Sequence, residues 1–289
     1  MRVFIALLAT LTVAAAGCGR SDRREYKLQG QVLSITSDRM QATIRHEEIP
    51  GFMAAMTMPY SVRDAKEYEG LVPGDLITAR LVVLPSAAYL EEVRKVGNAP
   101  LAQADLPSGS SSASAGFELV KTGDPVPDVA FVDQDGRALT LASLRGSAVV
   151  VTFMYTSCPM PTFCPLMDRN FAAIQAKLKE RNNELETRLV SVSIDPVVDT
   201  PAVLKAHAAK LGADPRIWSF VTGDRDEVDK WASGFGMSIS RALNDPRDIT
   251  HNLRTALIDR QGNLVQVYGG NEWTPDHVVS DVRVMVGVD

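Results

Sequence analysis

The chain has 289 residues, enough for one or two domains, with 45% hydrophobic and 22% charged residues and a formal net charge of −5. That is the composition of a globular protein. Nothing in it is basic enough for a nucleic-acid partner.

The first residues read as a targeting segment. Arg2 gives a short positive start, and Val3 to Ala16 is an apolar run of small residues too short to span a membrane comfortably. Ala15-Ala16-Gly17-Cys18 resembles a bacterial lipobox, which is cut before the cysteine. Residues 1–17 are then a signal peptide and 18–25 a tether. Lipid on Cys18 would hold the mature chain at a membrane face outside the cytoplasm, the periplasmic side in a Gram-negative cell. The alternative is an ordinary secretory signal, with Cys18 incidental.

From about residue 26 to 96 the pattern alternates as in an antiparallel sheet. Gln29 to Thr36 and Gln41 to His46 flank a turn at Ser37-Asp38-Arg39. Met53 to Val62 is a third strand, and Val72-Pro-Gly-Asp75 is a turn before the strand Leu76 to Leu84. Four or five short strands suggest a small OB-like β-barrel, since closure removes exposed edges. Residues 97–116 are small, polar and aperiodic. They read as a flexible linker spanning roughly 25 Å.

Residues 117–289 alternate strand and helix. Val129 to Asp133 and Arg137 to Leu141 form a hairpin around Asp135-Gly136. Next come a strand Ala148 to Tyr155, a helix from Pro165 to about Asn183 and a strand Thr187 to Ile194. Thr200-Pro201 opens a helix as N-cap and N1 proline. A strand Ile217 to Thr222 and a helix Glu227 to Phe235 follow. Leu253 to Asp259 pairs with Leu264 to Tyr268, and Thr274-Pro275 caps a last helix. The order predicts an α/β sandwich of thioredoxin type.

Cys158 and Cys164 stand where the strand Ala148 to Tyr155 ends and a helix begins. A helix N-terminus favours thiolate, the form that binds soft metals and attacks disulfides. Five residues separate the thiols, against two in a thioredoxin oxidoreductase, and Pro159 and Pro161 keep the spacer out of a helix. A loop that leaves room for an atom between two thiolates suits Cu(I), while a structural zinc site wants four ligands. His251, just ahead of the strand Leu253 to Asp259, is a third ligand candidate. A Cys158–Cys164 disulfide, or thiol–disulfide exchange by the pair, remains open. Asp195 either orients the metal loop or caps the following turn. His207 and His277 read as surface residues without a role.

At these residues the second domain resembles the Sco/SenC family of copper chaperones. The matching pieces are Phe153-x-Tyr155-Thr-x-Cys158-Pro, Cys164-Pro-Leu-Met167, Ser193-Ile-Asp195-Pro-x-x-Asp199-Thr-Pro201, and His251 ahead of Ala256-Leu-Ile-Asp259-x-x-Gly262. The resemblance implies a thioredoxin fold that binds one copper ion through Cys158, Cys164 and His251. It implies delivery of copper to the apo copper-A subunit of cytochrome c oxidase, or reduction of that subunit's cysteines, with a thioredoxin-like periplasmic reductant as a further partner. The usual spacing in the family is C-x-x-x-C. The two additional residues predict a longer, more mobile loop and add Met160 as a possible thioether.

In His46-Glu-Glu-Ile-Pro-Gly-Phe-Met53-Ala-Ala-Met56-Thr-Met58-Pro, the strand period puts Met56 and Met58 on one face. Methionine on a strand is by default core, yet two thioethers beside an imidazole suit Cu(I). The segment resembles the periplasmic copper-binding protein CusF through Gly30-x-Val32, His46-x-x-Ile49-Pro, Met56-Thr-Met58 and Leu71-Val-Pro-Gly74-Asp75. That resemblance implies Cu(I) on His46, Met56 and Met58. Met53 replaces the tryptophan that caps the metal in that pattern, and so becomes a fourth ligand or a hydrophobic lid. The sequence therefore predicts a lipid-anchored periplasmic chaperone with two copper sites. The alternatives are a thiol–disulfide oxidoreductase and a copper-resistance or buffering protein.

Overall fold

A computed structural model describes residues 22–53, 55–101, 119–180, 186–241 and 249–287. Cys18 and the signal segment lie outside the described residues.

Five strands come first: β1 (Arg24–Ile35), β2 (Gln41–His46), β3 (Met56–Ser61), β4 (Asp75–Val83) and β5 (Ala88–Asn98). They pair antiparallel in the order β3-β2-β1-β4-β5. Alternation decides which face is inside. In β2, Ala42, Ile44 and His46 are buried between less buried neighbours, so His46 points to the core.

The expected OB-like barrel is not closed by a continuous ladder. β3 and β5 remain edges, and a single parallel bridge between Val62 and Leu90 joins them. The physical reason lies in β3, which is six residues long and carries Pro59 opposite Thr43. Proline has no N–H to give a further strand, which confines it to an edge. β5, which the sequence left without bounds, runs through the start of the expected linker. Gly97 and Asn98 pair with Leu76 and Asp75, and Gln31 Nε2 donates to the Ala99 carbonyl at 2.7 Å. Residues 102–118 of the linker region lie outside the described residues.

The second part contains β6 (Phe131–Asp133), β7 (Ala138–Leu139), β8 (Ala148–Met154), α1 (Cys164–Glu180), β9 (Thr187–Ser193), α2 (Pro201–Lys210), β10 (Trp218–Thr222) and α3 (Arg225–Ser233). It continues with β11 (Ile239–Arg241), β12 (Ile249–His251), β13 (Arg254–Ile258), β14 (Leu264–Gly269) and α4 (Pro275–Val286). Seven strands form one sheet in the order β14-β13-β8-β9-β10-β6-β7, with β8, β9 and β10 parallel.

Every residue of β8 is buried, as expected of a central parallel strand covered on both faces. Phe153 of β8 meets Trp231 of α3, ring centroids 5.8 Å apart. On the opposite face Thr152 joins Thr255 of β13, whose hydroxyl reaches Met167 of α1. Thr200 and Thr274 cap α2 and α4 as predicted, each followed by proline. The element order is that of the expected thioredoxin-type sandwich. One addition was missed: β11 and β12 form a separate two-stranded ribbon.

Candidate metal centre

β8 ends at Met154, and the chain then turns twice before α1. Cys158 N–H donates to the Tyr155 carbonyl, and Phe163 N–H to the Met160 carbonyl. Cys164 is the first residue of α1 and is buried, while Cys158 is half-buried. Both are free thiols within hydrogen-bonding reach of one another. The Cys164 thiol donates to the Cys158 sulfur and, against the effect of burial, Cys158 is pulled down to about 7, helped by the N–H groups of Cys164 and Met160. Cys164, which keeps the shared proton beside the Cys158 sulfur in a buried place, is pushed well above the ordinary thiol range. Cys158 is thus the more acidic thiol of a pair at the head of a helix.

The spacer between the thiols is held at two of its carbonyls. Arg169 Nη2 donates to the Pro161 carbonyl at 2.8 Å, and Asn271 Nδ2 to the Thr162 carbonyl at 2.9 Å. The residue that braces the near side is Asp199, fully buried. Its carboxylate accepts from the Thr156 N–H at 3.0 Å, from the Thr156 hydroxyl and from the Ser193 hydroxyl at 2.6 Å. In the sequence Asp199 stood only within a motif, and Asp195 was open between orienting the loop and capping the turn. Asp195 caps the turn, its carbonyl accepting from the N–H groups of Val198 and Asp199. His207 also needs correction. It lies against Phe220 and bonds Asp168 of α1 at 2.9 Å, so it helps to fix the helix that begins at Cys164. His277 is exposed, as expected.

His251 closes β12, opposite Ile239 of β11, and does not simply precede the central sheet. Its ring stands edge-on to Tyr155 with centroids 5.7 Å apart. Its Nδ1 lies 2.8 Å from the Asn252 carbonyl. A carbonyl only accepts, so Nδ1 carries the proton and Nε2 keeps its lone pair. Asn252 is itself clamped, accepting from Ser238 N–H and donating to the Gly236 carbonyl. Burial holds the His251 ring below its ordinary pKa, with the Arg241 charge acting in the same direction.

His46 repeats this device. Its Nδ1 lies 2.7 Å from the Glu47 carbonyl, and its Nε2 is buried and has no hydrogen-bond partner among the described residues. Burial lowers its pKa as well. In the β2–β3 ladder His46 is opposite Met56 and Ile44 opposite Met58, so His46, Met56 and Met58 share one face. Gly30 of β1 is the partner of His46 on the other side, where a side chain would collide with β2. Met53 is buried in this core, and the Tyr60 hydroxyl donates to its sulfur at 3.7 Å.

The two sheets bring these groups to one place. Met53, Met56 and Met58 from the first part, with Tyr155, Cys158, Met160 and His251 from the second, line a single cavity. The thiols are together and His251 faces the same space. Among the described residues, however, no three His, Cys, Asp or Glu side chains stand close enough to hold a metal as they are. Closing Cys158, Cys164 and His251 on one ion requires the ring and the thiols to approach each other. The donors themselves, thiolate, neutral imidazole and thioether, are those of a soft monovalent metal.

Comparison with known proteins agrees with both halves. The model of the family described as copper binding periplasmic protein CusF matches residues 25–95. The chain is 32% identical over 155 residues to the SCO1 protein homolog of Bacillus subtilis, covering 53% of this chain and 78% of that protein. It is 28% identical over 153 residues to the SCO2-like protein RP587 of Rickettsia prowazekii, covering 52% and 70%. Among solved structures it is similar to a SCO1/SenC family lipoprotein from Bacillus anthracis, with a TM-score of 0.50 and 28% identity over 57% of this chain and 99% of that one. The SCO1/SenC family model matches residues 121–287, more than half of the sequence, and the chain belongs to that family.

Proposed function

We propose that this protein is a copper chaperone with two soft-metal sites, working outside the cytoplasm. The first, His46, Met56 and Met58, captures Cu(I). The second, Cys158, Cys164 and His251, delivers it to the apo copper-A subunit of cytochrome c oxidase. The observation that carries this reading is that Met56 and Met58 of the first set and Cys158 and His251 of the second line one cavity. Family membership and the two Nε2 lone pairs support it. Lipid on Cys18 is the anchor in this reading. Among the described residues no helix is long and apolar enough to cross a membrane.

The test is an anaerobic Cu(I) titration of the reduced chain lacking residues 1–18 against a Cu(I)-chelating dye. The expected result is two tight equivalents, one lost in Cys158→Ser and the other in Met56→Ala/Met58→Ala. Unchanged binding in Cys158→Ser refutes the delivery site.

A second reading is kept because an acidified Cys158 thiol beside Cys164 also suits thiol–disulfide exchange. It has the protein reduce the copper-A cysteines and draw electrons from a thioredoxin-like periplasmic reductant. It predicts turnover with a dithiol partner that survives loss of His251.

A further inference from the structure

The spacer between the thiols is where the two sheets touch. Met160 is 4% exposed and is buried within the apolar core of the N-terminal sheet, against which Cys158 and Phe163 also lean. The cavity beside it has a volume of about 30 Å³, room for little more than one ion or one water. Sulfur reaches it from both sides: Met56 and Met58 from β3, Cys158 and Met160 from the spacer. Filling the N-terminal core needs only an apolar side chain, and leucine would do that. Met160 brings a soft, neutral donor to the one place where both sites can use it. Pro159 and Pro161 fix the backbone on either side of it.

We propose that, when only one equivalent of Cu(I) is bound, the closed chain holds it in this interdomain cavity, on the Cys158 thiolate, the Met160 thioether and one thioether of the Met56–Met58 pair. The ion then crosses from one sheet to the other by ligand exchange. Each arriving sulfur displaces a departing one, copper stays Cu(I), and no electron moves. The proposal rests on the copper reading above and adds a site that belongs to neither half alone.

The experiment uses the reduced chain lacking residues 1–18, loaded with one equivalent of Cu(I) without oxygen. X-ray absorption reports the sulfur neighbours, and dye competition reports affinity. Met160→Leu conserves volume and removes the donor. The expected result is one sulfur neighbour fewer in Met160→Leu and a loss of affinity of about tenfold or more. Three outcomes overturn the shared site. In the first, Met160→Leu matches the unaltered chain in both readouts while Cys158→Ser loses binding, which leaves the chaperone reading intact. In the second, Met160→Ala weakens binding but Met160→Leu does not, which makes Met160 a packing residue. In the third, Cys158→Ser binds as the unaltered chain does, which removes the chaperone reading as well.

Discussion

Asp199→Ala is expected to be the most damaging single substitution at the thiol loop. It leaves the Thr156 N–H and hydroxyl, half-buried, and the fully buried Ser193 hydroxyl without their acceptor. Each stranded donor costs about 1–3 kcal/mol, so a loss of about 3 kcal/mol or more is expected. For a domain of this size that lowers the melting temperature by roughly 10 °C. Copper affinity should fall with it by about 10–100-fold, because Thr156 fixes the approach to Cys158. Asp199→Asn separates the two effects. It keeps the shape and one acceptor oxygen but turns an N–H toward groups that can only donate or must reorient. Thermal melts read alongside dye competition check this. A melt equal to that of the unaltered chain would show that the loop does not depend on this carboxylate.

The second large effect is expected at Gly30. A Cβ there would lie 2.6 Å from the Arg45 carbonyl oxygen, 2.8 Å from Ile44 Cγ2 and 2.9 Å from His46 Cα. Two of those atoms are backbone and cannot swing away, so the β1–β2 ladder must part at His46. Gly30→Ala should cost about 1–3 kcal/mol as overpacking and weaken Cu(I) binding at His46, Met56 and Met58. Hydrogen exchange locates the damage. The amides of Ile44 to His46 should lose protection while those of β8 and β9 keep theirs. Uniform loss across both sheets would mean that the two parts unfold as one unit.

What could be read from the sequence followed periodicity and capping chemistry. The β-forming run Ala148–Met154, apolar but for Thr152, read as a buried strand. Thr-Pro at positions 200 and 274 marked helix starts to the residue. The strand period put Met56 and Met58 on one face, and the ladder adds that His46 shares it. Other features depended on distant partners. Nothing local shows that Asp199 rather than Asp195 reaches back to Thr156, because the contact joins two loops 43 residues apart. The ribbon that carries His251 was hidden because its strands are three residues each, too short for a period. Barrel closure failed on one proline at an edge. The hydrogen bonds that hold the spacer were equally out of reach, because they come from α1 and from the loop after β14.

The placement of Met160 has a consequence for descent. Its burial depends on a surface that a chain with only the second part would lack. There, an apolar side chain pushed out between two prolines would face solvent and gain nothing. Spacer length and domain content should therefore be inherited together. Relatives with the longer interval between their thiols should carry an N-terminal partner sheet with paired methionines. Relatives that have lost that sheet should have shortened the interval, or replaced the methionine by a polar residue.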